Sequence, residues 1–476
     1  TLNKSNYVIG VYFLNEIYLK SFEDCPKAWF IIESLKELKL NWKKLGSELI
    51  IINGEFQNHI KKLCLSLKVS HVAWNKDIEP ENIKSETIIK NTLNKLKISY
   101  NEYWDQLVIE PGTLKTKTNE NYRVFTPFSR SWMNKVLDND YSIDKIISKE
   151  NLILNRRINS FFISNINLDK DLNLINNINL NFNGYEVCPC KPGEKNAKDQ
   201  LTKFVDFDNF KNQHLFRKNE YVKSIYEYDK NRDIPSFIGT SYLSAALSIG
   251  TISPRTVWNS TINSIKFALA ENNSELIKSV QTWQKELIWR EFYQHSLYSF
   301  PELAIGPFRE KWNKFPWGNN QKMYEAWREG NTGVPIIDAA MRQLSTSGWM
   351  HNRSRMIVAS FLVKDLICDW RLGEKYFMQK LVDGDLASNN GGWQWSASSG
   401  MDPKPLRIFN PYTQAAKFDK KAEYIKRWIP ELRRVSTNDL ISGEISPLER
   451  NGYPSPIVVH KDQQALFKKL YRNLAS

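Results

Sequence analysis

Cysteine is scarce. Five occur in 476 residues, Cys25, Cys64, Cys188, Cys190 and Cys368. An odd, scattered set argues against a disulfide framework and for a reducing compartment. Cys188-Pro189-Cys190 lacks the two-residue spacing of a thiolate metal site and has no Cys or His cluster near it, so it reads as structural and no metal is expected. No stretch approaches the roughly 20 apolar residues that span a bilayer. No secretory pattern opens the chain, so no membrane partner is expected. GxGxxG and P-loop signatures are both missing, which removes the usual dinucleotide and phosphate motifs. There is no internal repeat.

What is abundant is positive charge. Lys and Arg total 66 against 52 Asp and Glu, a net charge of +14. That excess points to a polyanionic partner, nucleic acid first. A Lys-, Asn- and Ile-rich composition of the kind an AT-rich genome produces accounts for it equally well.

Periodicity divides the chain. Residues 7–14, 49–52, 71–74 and 98–104 read as strands, with helical patterns at 28–40, 59–69 and 81–96 between them. That alternation predicts a parallel sheet in an α/β domain over 1–133. Residues 151–183 are low in complexity and read as part of a connector spanning 134–192. From 193 to 476 helical periodicity dominates, as at 280–300, 324–329 and 336–345, so this half is expected to be all-α.

Four segments carry chemistry. In FIGTSYLSAALSIGTISPR, Thr240, Ser241 and Ser244 place three hydroxyls near a helix start. They serve as N-caps or as part of a phosphate cradle. In WQKELIWREFYQH, Trp283, Glu286 and Arg290 share a helix face with Trp289 beside them. A salt-bridged helix with core tryptophans explains this, and so does a partly buried functional carboxyl. In GWMHNRSRM, Asn352, Arg355 and Met356 share one face and Arg353 points about 100° away from Asn352. This fits a phosphate- or base-reading helix as well as a solvated basic face. DGDLASNNGGWQW (383–395) packs two carboxylates, three amides, three glycines and two tryptophans into one span. Such a polar turn is costly to bury unless a bound group satisfies it, and an aromatic redox cofactor would do so.

In this order, GTSYLS, ELIWREFYQH, GWMHNRSRM and DGDLASNNGGWQWSASSGMDPKPLRIFNP resemble the photolyase/cryptochrome flavoprotein family. The resemblance covers nearly the whole chain and is strongest from Tyr228 to Arg434. It looks most like the class I, cyanobacterial-type cyclobutane pyrimidine dimer enzymes. It implies a Rossmann-like antenna domain followed by an all-helical FAD-binding domain. Family members open with a strand that precedes the position matched by Thr1-Leu2, so the sheet is expected to lack its first strand.

The resemblance assigns FAD contacts to Tyr228, Thr240, Ser241, Tyr242, Leu243, Ser244, Trp283, Arg290, Trp349, Asn352, Arg355, Asp383, Gly384, Asp385 and Asn389, with Asp383 paired to Arg355. Asn389 matches the position facing flavin N5, where plant-type cryptochromes carry Asp. An uncharged amide there suits a fully reduced anionic flavin and favours repair over signalling. Glu286, Trp289, Asn352, Met356 and Trp395 match residues that receive a flipped dimer. Trp393, Trp370 and Trp317 match an electron-transfer triad. Arg232, Arg353 and Arg407 match phosphate contacts, which confer affinity rather than sequence readout.

The implied reaction is light-driven. Reduced FAD donates an electron to the dimer, the cyclobutane bonds split, and the electron returns. Glu286, Asn389 and the triad form the expected catalytic set. A cryptochrome-like blue-light photoreceptor is the alternative. A second antenna chromophore, deazaflavin or methenyltetrahydrofolate, is expected without a decided identity. Ser248 stands where deazaflavin users carry Lys, and Leu303-Ala304-Ile305-Gly306 where folate users carry Cys-Lys. The implied setting is a monomer in the bacterial cytoplasm, at the nucleoid, acting on DNA that contains pyrimidine dimers.

Overall fold

The computed structural model describes residues 8–14, 25–45, 47, 49–138, 182–212, 224–401 and 407–475. Strand and helix alternate through the first part: β1 (Gly10–Leu14), α1 (Pro26–Lys44), β2 (Leu49–Asn53), α2 (Phe56–Ser66), β3 (His71–Asn75), α3 (Pro80–Leu96) and β4 (Ser99–Tyr103). The parallel α/β reading holds, but the described strands form two separate ladders. β1 pairs with β2 in register Gly10 to Leu49, and β3 with β4 in register His71 to Ser99. β2, LIIIN, is buried at all but its last residue, as an apolar run in a parallel strand requires. Prolines fill the first turns of α1 and α3, where their missing N–H costs nothing. The expected first-strand loss rests on Thr1 and Leu2, outside the described residues. So does all but the end of the 151–183 connector.

After α4 (Phe125–Asp138), the labelled helices are α5 (Glu194–Val205), α6 (Ser244–Ile249), α7 (Pro254–Ala270), α8 (Ser274–Ser299), α9 (Gln321–Glu329), α10 (Pro335–Ser347), α11 (Asn352–Lys364), α12 (Trp370–Lys380), α13 (Leu386–Ala397) and α14 (His460–Ala475). Among the described residues no strand follows β4, and no helix is long and apolar enough to cross a membrane.

Two cores position the site. One gathers Trp327, Met341, Val358, Trp370 and Trp393 from α9 to α13. The other joins α4 to α5, α7 and α8 through Trp132, Phe204, Trp258 and Trp283. At its centre is Glu291 of α8, 1% exposed. Its carboxylate accepts from Val108 N at 2.7 Å, Ile109 N at 3.3 Å and Trp132 Nε1 at 3.1 Å. Burial pushes this carboxyl up, and the Arg290 charge and then the donors pull it back, which is how a core tolerates a carboxylate.

Candidate cofactor and substrate site

The turn before α6 is strained. Tyr242 takes φ +54°, a left-handed conformation unusual for an aromatic residue. Its ring packs edge-on against Trp349 at 4.9 Å. Ser241 Oγ accepts from Leu243 N at 3.4 Å, so one hydroxyl serves as a turn cap. Thr240 Oγ1 is buried without a protein partner, Leu243 is buried, and Ser244 is exposed. A buried hydroxyl left open in a polar turn is what a phosphate cradle offers.

The Asp383-Gly384-Asp385 turn faces this segment. Arg355 NH2 donates to both oxygens of Asp383, at 3.0 and 2.8 Å, and Arg355 Nε donates to Met350 O at 2.8 Å. The pairing expected from the sequence is therefore present. Ser248 Oγ donates to Gly384 O at 3.2 Å. Asp385 caps α13 by accepting from Ser388 N at 2.7 Å, and its other oxygen accepts from Gln294 Nε2 at 2.7 Å. Arg290 is committed to backbone carbonyls, Gln106 O at 2.7 Å and Leu247 O at 3.2 Å. Trp283 is buried beside Phe204, and buried Tyr228 lies under the Arg232 guanidinium at 5.2 Å.

A cavity open to solvent is lined by Trp289, Tyr293, Asn390, Gly391, Trp395 and Met401, among others. The two tryptophans expected to flank a lesion thus meet there. Glu286, Asn352 and Met356 do not line it. Glu286 pairs with Arg232 at 2.7 Å. Burial pushes its carboxyl up, and Arg232 opposes that rise. Arg353 pairs with Asp233 at 2.7 Å and sits 4.3 Å over the Phe418 ring. Two of the three arginines matched to phosphates are therefore bound to carboxylates in the protein itself. Arg407 is exposed, 5.8 Å over Trp395. Asn352 Nδ2 reaches Met356 Sδ at 3.9 Å.

Asn389 Nδ2 donates to Glu374 O at 3.0 Å. A carbonyl partner fixes the amide's orientation and leaves Oδ1 as its acceptor. Asn390 Nδ2 donates to Glu374 Oε1 at 2.8 Å, and burial pushes the Glu374 carboxyl up to about 7. Trp393 and Trp370 are buried in the α9–α13 core, and partly exposed Trp317 packs against it.

The sequence reading missed several contributors. Tyr293, four residues after Trp289 on α8, was legible from helical spacing. Gln294, four residues after Arg290, and Met401 lie inside motifs already singled out, whereas Phe125 and Glu374 come from distant segments and carried no local signal.

A parallel α/β part, a helical part and a polar cofactor-type turn beside an aromatic cavity are the arrangement of a flavoprotein. Residues 2–144 match the family described as DNA photolyase, and residues 283–473 the FAD binding domain of DNA photolyase. The deoxyribodipyrimidine photo-lyase of a Synechococcus species is 42% identical over 99% of this chain and 92% of that protein. A bacterial class III photolyase from Agrobacterium tumefaciens superposes with TM-score 0.79 at 31% identity, covering 100% of this chain and 93% of that one. An archaeal photolyase from Sulfolobus tokodaii, described with two FAD molecules and a novel light-harvesting cofactor, gives TM-score 0.73 at 29% identity over 99% and 94%. The chain belongs to the DNA photolyase family. It is a light-driven DNA repair enzyme that uses FAD, and the comparisons favour this over the photoreceptor alternative.

Proposed function

We propose that this enzyme splits cyclobutane pyrimidine dimers, as a monomer on nucleoid DNA in the bacterial cytoplasm. One observation carries the reading. The segment 383–395 anchors the cofactor-type turn through Asp383 and Asp385 at one end and lines the aromatic cavity through Asn390, Gly391 and Trp395 at the other. A single helix start therefore sets the spacing between cofactor and lesion.

FAD fits the residues present. Thr240, with its open hydroxyl, and Ser241, Tyr242, Leu243 and Ser244 suit the pyrophosphate. The Arg355–Asp383 pair, Asp385, Tyr228, Trp283, Arg290 and Trp349 form the remaining walls. Asn389 offers Oδ1 to the N–H edge of the ring. When bound, reduced FAD supplies the light-excited electron that opens the cyclobutane ring and takes it back.

Trp289 and Trp395 offer flat faces to an unstacked dinucleotide. Glu286, held by Arg232 at 2.7 Å, offers a hydrogen-bonding carboxyl to a pyrimidine edge. Asn352 reads a pyrimidine edge and Met356 gives adaptable contact. Arg232 and Arg353 share their carboxylate partners with backbone phosphates, and Arg407 meets phosphate directly. Trp393, Trp370 and Trp317 run from the buried core to the half-exposed surface, a direction suited to reduction from outside.

The test is repair of a thymine dimer in an oligonucleotide by reduced protein, under blue light and in darkness. Light-dependent recovery of both thymines supports the reading. No repair with reduced FAD bound overturns it. Glu286→Ala should lower repair and keep FAD.

A further inference from the structure

The Gly384 carbonyl, between the two carboxylates of the cofactor turn, accepts from two directions. Ser248 approaches from α6 at 3.2 Å. The second donor is Lys27 Nζ at 2.5 Å, from the first turn of α1 in the α/β half and 357 residues away in sequence. This contact is part of a seated interface. Gly348, at φ +65°, has Pro26 so close that an added Cβ would meet the proline ring at 2.5 Å. Gly348 O in turn accepts from Val382 N at 2.7 Å, one residue before Asp383. The start of α1 therefore presses on both strands of backbone that carry Trp349 and Asp383.

Charge supports the placement. Glu79, the residue before α3, feels Asp77 and Asp385 as like charges and the Lys27 ammonium as the opposing one. Glu79 is pushed up to about 7 by burial and by Asp77 and Asp385, with Lys27 opposing. Without a cation here, Asp385 would face other carboxylates across the cleft.

We propose that Lys27 is a positioning residue for the FAD site: its ammonium clamps Gly384 O from the α/β half and holds Asp383 and Asp385 in register for the cofactor. FAD retention thereby depends on how the two halves are docked. The inference rests on the FAD assignment made above for this turn.

The experiment measures the FAD dissociation constant, by recovery of free-flavin fluorescence, in the full chain and in Lys27→Met, Lys27→Arg and Ser248→Ala. Amide hydrogen exchange of residues 383–388 is followed in the flavin-free protein. Lys27→Met should weaken FAD about tenfold, the loss of one charge-assisted hydrogen bond. It should also speed exchange across the turn. Lys27→Arg, which keeps the donor and charge, should restore both to within about threefold. Ser248→Ala combined with Lys27→Met should be non-additive, because both donors serve one oxygen. Unchanged FAD affinity in Lys27→Met overturns the proposal, as does failure of Lys27→Arg to restore it. A wild-type protein that binds no FAD overturns the cofactor assignment itself, and the Lys27 role with it.

Discussion

Phe125 lies face to face with Trp289, ring centroids 3.5 Å apart and planes 3° from parallel. Trp289 lines the cavity and Phe125 does not. The phenyl ring, at the first residue of α4, therefore braces the side of the indole away from the cavity. Phe125→Leu should leave FAD bound and weaken dimer binding about fivefold, the roughly 1 kcal/mol of an aromatic pair. Fluorescence titration with a dimer-containing oligonucleotide measures this. Unaltered affinity would show that the indole needs no brace.

The Arg355–Asp383 pair is asymmetric, Asp383 being 3% exposed and Arg355 25%. Asp383→Asn strips the guanidinium of its countercharge in a largely dry place. The expected cost is about 2–3 kcal/mol, at or below the lower end for a broken buried pair because Arg355 keeps some solvent. Flavin content per mole of purified protein should fall as well. Thermal unfolding and the absorbance ratio report the two effects separately.

Glu374 gives a pH dependence with a definite sign. Its folded value of about 7 lies above the ordinary 4.5, chiefly through burial. The folded protein therefore holds this proton more tightly than the unfolded chain. The stability it contributes is complete below pH 4.5 and is lost as pH rises through 7. Glu374→Gln, which mimics the neutral acid, should match wild type near pH 4.5 and exceed it by about 3 kcal/mol at pH 8. Denaturant melts at the two pH values decide it, and equal stability at pH 8 would rule out a strained carboxylate.

Gly373 on α12 leaves room for the Trp393 indole. A Cβ there would lie 2.1 Å from Trp393 Cη2 and 2.7 Å from Leu362 Cδ2. Gly373→Ala should cost about 1–3 kcal/mol by overpacking. By tilting Trp393 it should also slow light-driven reduction of oxidised FAD. Transient absorption gives the rate, and a normal rate would mean that Trp393 moves harmlessly.

Trp317→Phe should abolish that same photoreduction while sparing repair by chemically reduced enzyme. Both assays run on one preparation. Retained photoreduction would remove Trp317 from the path.

Local signals were legible and crossings between segments were not. The strands at 49–52 and 71–74 and the long helix at 280–300 appear close to where alternation and 3.6-residue periodicity placed them, because both depend only on neighbours in sequence. The expected helix starts came one or two residues late where a proline opens the helix, as at Pro26 and Pro335, and six late at Ser274, which Asn273 caps. That the described strands form two ladders was invisible, since pairing is a long-range choice. The motif residues were found because DGDLASNNGGWQW concentrates polar groups too costly to bury idly. The arginine pairings with Glu286 and Asp233, the brace from Phe125 and the clamp from Lys27 were not found. Each joins residues far apart in the chain or across a loop, and no periodicity encodes them.

Glu291 has a practical consequence for anyone cutting this protein in two. Its three donors, Val108 N, Ile109 N and Trp132 Nε1, all come from the part of the chain preceding residue 193. A helical half expressed alone would keep the carboxylate and lose every one of these hydrogen bonds, leaving only the neighbouring Arg290 charge to offset it on a newly exposed apolar seat. Such a fragment should aggregate or stay partly unfolded. Supplying the missing piece in trans should rescue it only if that piece extends through Trp132.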